Sequence, residues 1–178
     1  MSLKPARGTP TKRRKQPVPC VQRLRIPIVG LLAAGLAAAQ SPAGLPAPAG
    51  VANAQRAWQN WTLNCQGCHR QDGTGSAGTA PSLAGTVSKF LTVPGGREYL
   101  GRVPGVATSP LANADLAELM NWIFWRFDSV HLPADFVPFT AEEIGRLRTR
   151  PLRLEAAPMR SALLQAADAA SRTHPANE

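Results

Sequence analysis

The sequence predicts an all-α fold, one small helical domain followed by a C-terminal extension. Three observations carry that prediction. Leu116, Leu119, Met120, Ile123, Phe124 and Phe127 fall at i, +3, +4, +7, +8 and +11, the spacing that lines one face of an α-helix. Trp58, Trp61, Cys65 and Cys68 recur at +3, +4 and +3, a second helical face. No stretch alternates apolar and polar residues convincingly enough to read as a strand. A chain of 178 residues has room for one domain with tails and a real core.

Charge is distributed unevenly. The formal net charge is +9, but residues 1–25 hold eight of the 20 basic residues and no acid. The other 153 residues carry 12 basic groups against 11 acidic ones. The body is therefore close to neutral and does not read as a nucleic-acid binder. The basic run precedes an apolar stretch, Ile26 to Ala39, that is short of the ~20 residues a membrane span needs. With Ala37-Ala38-Ala39 as a small-residue cleavage site, residues 1–39 read as a secretory signal peptide, cut after Ala39. An uncleaved N-terminal anchor is the alternative. Arg13-Arg14 is a poor twin-arginine signal, because no apolar pair follows it and Pro17 interrupts. Cleavage removes Cys20, leaving Cys65 and Cys68 as the only thiols. The expected location is the periplasm, with no transmembrane span after signal cleavage.

Residues 40–52 are rich in Pro, Ala and Gly and read as an extended linker. Asn53 then caps a helix expected to run through Cys68. That helix ends in Cys65-Gln66-Gly67-Cys68-His69, the C-x-x-C-H pattern of covalent c-type haem attachment. On one helical face the two thiols can add across the two haem vinyl groups while the adjacent imidazole reaches the iron. His69 is thus the proximal iron ligand, and the cofactor is a single covalently attached haem c. Two competing chemistries fit less well. A thioredoxin-like dithiol needs C-x-x-C beside a βαβ unit. A zinc site needs a fourth ligand from distant His131 or His174, and adjacent Cys68 and His69 fit poorly into one tetrahedron.

Arg70 to Thr79 is Gly-rich without the strand before it that a phosphate-binding loop requires, so it reads as a plain loop. Pro81-Ser82-Leu83-Ala84-Gly85 follows, twelve residues beyond the histidine. C-x-x-C-H, a Gly-rich loop and then P-x-L-x-G make residues 53–128 resemble the small class I mono-haem cytochromes c of bacteria. The resemblance implies a haem-wrapping fold and a Pro81 carbonyl that accepts the Nδ1 proton of His69, fixing the tautomer of the ligand. It also implies an electron carrier without enzymatic activity of its own, exchanging single electrons with redox proteins: a dehydrogenase, an oxidase or another cytochrome.

Thr86 to Leu100 predicts one or two short helices broken at Pro94-Gly95-Gly96, with Phe90 and Leu91 in the core. Arg97 and Arg102 are candidates to face the haem propionates, against the plainer reading of two solvated charges. Val103 to Pro110 reads as a loop. Asn113 or Asp115 starts the best helix, which runs to about Asp128 and resembles the helix that crosses the N-terminal one in the family. Trp122 and Trp125 lie off its stripe, suited to that crossing or to a partner surface. Residues 129–178 form the extension. His131 to Pro138 is a strap held by Phe136. Thr140, Glu143, Phe139 and Ile144 then make a capping box and hydrophobic staple for a short helix near 140–150, stopped by Pro151. From Pro158 an Ala-rich segment forms a loose helix ending in a disordered tail.

The family's usual sixth ligand is a Met in the loop before the last helix. Here Val103 to Leu111 contains none. Met120 has the right chemistry but sits inside a packing stripe, and His131 lies in a loop just past that helix. Otherwise the position is open, or is filled by water or by a residue such as Tyr99 or Lys89. Three functions follow: an electron carrier, a five-coordinate haem protein that binds a gas or peroxide, or the dedicated cytochrome subunit of a periplasmic dehydrogenase.

Overall fold

The computed structural model describes residues 48–173. The signal segment, Cys20, residues 40–47 of the linker and His174 lie outside the described residues. Helix α1 (Ala54–Asn64), a single turn α2 (Gln66–His69), a 3-10 segment Val87–Thr92, α3 (Gly96–Arg102), α4 (Pro104–Ala107), α5 (Asn113–Asp128), α6 (Ala141–Arg148) and α7 (Ala156–Thr173) follow in order. Among the described residues there is no strand, only an isolated bridge between Ser76 and Ala80.

α1 starts where its cap was expected. The Asn53 side chain accepts from the Arg56 N–H at 2.9 Å, satisfying one of the orphan donors of the first turn. Its backbone N–H donates to buried Glu118 of α5 at 2.7 Å, and Arg56 closes on the same carboxylate at 2.8 Å. The start of α1 is thereby tied to the helix it crosses. At the crossing Trp61 lies 6.2 Å from Trp122 and 4.6 Å from Phe127, centroid to centroid. Trp122 is therefore a crossing residue. Trp125, 39 % exposed, is not, and Trp58, 46 % exposed, does not share the burial of Trp61.

α5 is the central element; of its predicted stripe Leu116, Leu119, Met120, Phe124 and Phe127 are buried and Ile123 is half-buried. Its Asn121 does structural work beyond the stripe. Its amide donates to Gly50 O and Phe139 O, and its carbonyl accepts from Phe139 N at 2.9 Å. One buried side chain thus fastens both chain segments that flank the helix. This also corrects the reading of the linker, whose last residues belong to the packed domain: Val51 is buried with Ala57 and Trp61.

The extension packs more tightly than its composition suggested. Thr140 caps α6 by accepting from Glu143 N, and Phe139 and Ile144 are both buried. The Glu143 carboxylate turns away from the cap to Arg97, at 2.6 and 2.7 Å. The strap is held by Phe136 edge-on to Phe124 at 5.5 Å. α7 is a continuous 18-residue helix, not a loose one; the expected disordered tail beyond Thr173 lies outside the described residues. Met159, Leu163 and Leu164 pack on the core, and Ala167 is buried. Their i, +4, +5, +8 spacing is itself a helical stripe.

Candidate cofactor site

The attachment segment begins with a break. Cys65, at φ −126°, ends α1, and α2 restarts at Gln66, so the expected single helix through Cys68 is two helices with a kink between them. The register survives, because His69 N and Cys68 N both donate to Cys65 O. Arg70 stops the turn with a positive φ, 63°, and an extended ψ of 167°, uncommon for a residue with a Cβ.

The loop that follows is folded back onto the turn. Gly75 N donates to His69 O at 3.0 Å, and Leu83 N donates to Gly73 O at 2.8 Å. The Ser76 hydroxyl donates to Cys68 O at 2.9 Å. At the end of this fold-back, His69 Nδ1 lies 3.0 Å from Pro81 O. A carbonyl can only accept, so Nδ1 carries the proton and Nε2 is left with its lone pair. Burial also holds the His69 pKa below the usual histidine range, the Pro81 bond opposing it, so the neutral imidazole is favoured. Burial, with a smaller contribution from the neighbouring Cys68, pushes the Cys65 thiol up to about 11.

Cys65, Cys68 and His69 open onto a cavity of about 960 Å³, at the upper end for a single ligand or cofactor site. α5 supplies Leu116, Leu119, Met120 and Ile123 to its wall, and α3 with α4 supplies Leu100, Val103 and Val106. Polar groups at the wall are sparse. The buried indole nitrogen of Trp61 has no hydrogen-bond partner. Arg160 of α7 is the one Lys or Arg among the lining residues. Its guanidinium stands 5.8 Å from the Phe90 ring centroid and donates to Ser82 O at 3.3 Å. No carboxylate among the described residues lies within salt-bridge distance of it.

Several predicted positions fall elsewhere. Arg97 is taken by Glu143 and by the carbonyls of Val137 and Pro138. Arg102 donates to Arg150 O at 2.7 Å. Neither lines the cavity, and Arg160, which sequence reasoning missed, does. Its signal was available, as a lone cation one turn before Leu163 and Leu164 on the apolar face of α7. Met120 is on the cavity wall and buried, whereas His131 is not on the wall and has its Nδ1 2.5 Å from Asp128 Oδ1. Among the described residues no three His, Cys, Asp or Glu side chains converge as a metal cage, which gives the zinc alternative no support. None of the described helices is long and apolar enough to cross a membrane.

Two thiols, a neutral imidazole with a free Nε2, a large apolar cavity and one cation without a counter-charge fit a covalently held haem with its carboxylates. No family model matches the chain. The chain is 35 % identical over 121 residues to a cytochrome c-552 of Thermus thermophilus, spanning 58 % of this chain and 82 % of that one. A second cytochrome c-552 of Thermus thermophilus is 36 % identical over 106 residues, 49 % of this chain and 81 % of the relative. With a helical fold that holds no strand among the described residues, and with its C-x-x-C-H turn, the chain belongs to the bacterial c-type cytochromes, haem-iron proteins of electron transfer.

Proposed function

We propose that this protein is an exported mono-haem c-type cytochrome that relays single electrons between a dehydrogenase and an oxidase or another cytochrome. Cys65 and Cys68 carry the haem as thioethers, and His69 is its proximal ligand. The observation that supports this best is the 3.0 Å approach of His69 Nδ1 to Pro81 O on the cavity wall that also carries both thiols.

A haem bound here supplies an iron couple that takes up and releases one electron. The chain's own residues have three tasks. The Pro81 carbonyl holds the proton on Nδ1, which fixes the ring and makes Nε2 the better donor. The hydrocarbon of α3, α4 and α5 keeps water from the cofactor, and a dry site sets the potential as much as the ligand does. Arg160 pairs with a haem carboxylate, the role expected of Arg97 or Arg102, and a guanidinium suits it through its planar fork of donors. Export rests on the signal-like residues 1–39. The near-neutral body is consistent with protein redox partners and gives no footing for nucleic acid.

A pyridine haemochrome after expression with the haem-attachment machinery tests the cofactor. A c-type spectrum is expected, and haem should stay with the polypeptide on a denaturing gel and be lost from a Cys65→Ala/Cys68→Ala variant. No c-type signal in the parent protein would sink the reading. Mass spectrometry of the periplasmic fraction should find a chain beginning at Gln40. An intact N-terminus in the membrane fraction would favour the anchor instead.

A further inference from the structure

The carrier reading leaves unassigned the iron's axial position across from His69. We propose that no side chain among the described residues takes that position, and that the cavity admits a small neutral ligand of the carbon monoxide or nitric oxide class. The inference rests on the haem reading above and concerns how this chain has built the other side of the same cavity.

α3, α4 and Val103 between them supply one stretch of the cavity wall. Leu100, Val103 and Val106 face the cavity there, with Pro104 and Gly105 between them. These residues offer hydrocarbon and backbone, neither of which ligates haem iron. The connection Thr108 to Ala112 contains no Met, His, Lys or Cys. It is also pinned by one side chain: Arg148 donates to the carbonyls of Ala107, Ser109 and Leu111, and to the Asn113 side chain at 3.1 Å. A guanidinium that spends its donors on successive turns of a loop holds that loop in place. The segment has neither a ligand to give nor the freedom to bring one in.

Donors elsewhere in the described residues are occupied or misplaced. His131 is bonded to Asp128 and lies off the cavity. Lys89 is paired with Asp168 at 3.1 Å. Met159 is packed on the core and is not among the lining residues. Tyr99 does line the cavity, but its ring is held by stacking on Phe90 at 5.0 Å, and its burial raises the phenol pKa, which keeps the ligating phenolate scarce. Apart from the two cysteines that carry the haem, Met120 is the one soft donor on the wall. It sits in the middle of α5, in a row with Leu116, Leu119 and Ile123. Trp61 packs on this helix through Trp122 and Phe127 and at the same time stands 6.1 Å from the His69 ring. α5 is thus a flank of the cavity beside His69. Moving the Met120 sulfur away from that row would require unwinding a helix that is buried without a break from Leu116 to Trp122.

What remains beside Arg160 is a mostly apolar wall. It suits a neutral diatomic molecule, which needs no charge compensation.

The test uses the full chain loaded with haem, after a haemochrome has established haem c. Carbon monoxide is added to the reduced protein at neutral pH, and the Soret band is followed by stopped flow. A rapid, saturable shift is expected in the parent protein, with the same affinity in Met120→Leu and His174→Ala. A parent spectrum that carbon monoxide does not move overturns the inference. So does a shift gained only in one variant, which would identify that side chain as the ligand. The near-infrared methionine–iron band of the oxidised parent protein answers the same question without a variant, and its presence overturns the inference. Haem c without a carbon monoxide response refutes this inference alone, whereas absence of haem c refutes the carrier reading beneath it.

Discussion

The two sides of the cavity are built by opposite means. From Cys65 to Leu83 the chain holds its shape by polar bonds between near neighbours, each with a named partner: Gly75 N to His69 O, Ser76 Oγ to Cys68 O, Leu83 N to Gly73 O, His69 Nδ1 to Pro81 O. From Leu100 to Val106 the cavity face is hydrocarbon, held by packing, and the chain that follows it is tied down by the distant Arg148. The first side specifies the position of one atom, Nε2, because hydrogen bonds are directional over tenths of an ångström. The second specifies only a shape, because burial of apolar area has no direction. A metal ligand needs the first kind of wall, and a pocket for a small guest needs only the second.

Four experiments press on that contrast, the largest effect first. Leu100→Ala removes a buried side chain from the hydrocarbon side and should cost about 2–5 kcal/mol of stability, read from a denaturation midpoint. The absorption spectrum of the folded, oxidised protein should not change, and a changed axial-ligand spectrum would break the contrast.

Gly75→Ala attacks the polar side. Gly75 has φ +77°, and a Cβ there would come within 2.4 Å of Ala80 O and 2.7 Å of Pro81 O. We expect a cost of about 1–3 kcal/mol from the strained backbone. The reduction potential should also rise as the Pro81 carbonyl is pushed off His69 and the imidazole becomes a poorer donor. A stabilised variant with an unmoved potential would show that this carbonyl does not tune the ligand.

Arg160→Gln removes the cation at the cavity wall. A positive charge near the iron favours the reduced state, so its loss should lower the potential by up to about 59 mV, the one-electron equivalent of a tenfold change. Arg160→Lys should retain most of the parent value, and a potential raised by the Gln variant would rule out the carboxylate pairing.

The smallest effect is read in the protein before haem attachment. With its pKa raised to about 11, Cys65 holds little thiolate at pH 8. Iodoacetamide should modify exposed Cys68 first, and the rate at Cys65 should climb about tenfold per pH unit until that pKa is approached. Equal rates at the two sites would mean that the wall around Cys65 closes only once haem is in place.

Much of this was legible in the residues, for reasons that differ by element. The buried face of α5 follows from spacing alone, because a helix that crosses a core must repeat its apolar residues every three or four positions. The Thr140 cap is equally local. The two tryptophans of α1 mark the limit of that logic. Trp58 and Trp61 are three residues apart, yet only Trp61 is buried, because α5 covers the side of α1 that carries Ala57 and Trp61 and leaves Trp58 outside it. Arg97 and Arg102 show the same limit for charge. Composition offers a guanidinium but cannot say which carboxylate or carbonyl will reach it, and Glu143, 46 residues along the chain from Arg97, reached it first. α7 lay between these cases. Its stripe through Met159, Leu163, Leu164 and Ala167 was visible but was masked by alanines, which signal helix without signalling burial.

By itself, the sequence determined the proposed attachment chemistry and the helical class. Two thiols, an imidazole and a following proline within seventeen residues form a local unit, and local units are set by spacing. Only the tertiary structure decided what surrounds that unit: that His131 is tied to Asp128 away from the cavity, that Met120 belongs to a flank, that Arg148 pins the loop between α4 and α5, and that Arg160 arrives from a helix nearly a hundred residues after His69. Each of these depends on which distant elements pack together. That is settled by the burial of whole faces, a sum over many contacts that no short window of residues contains.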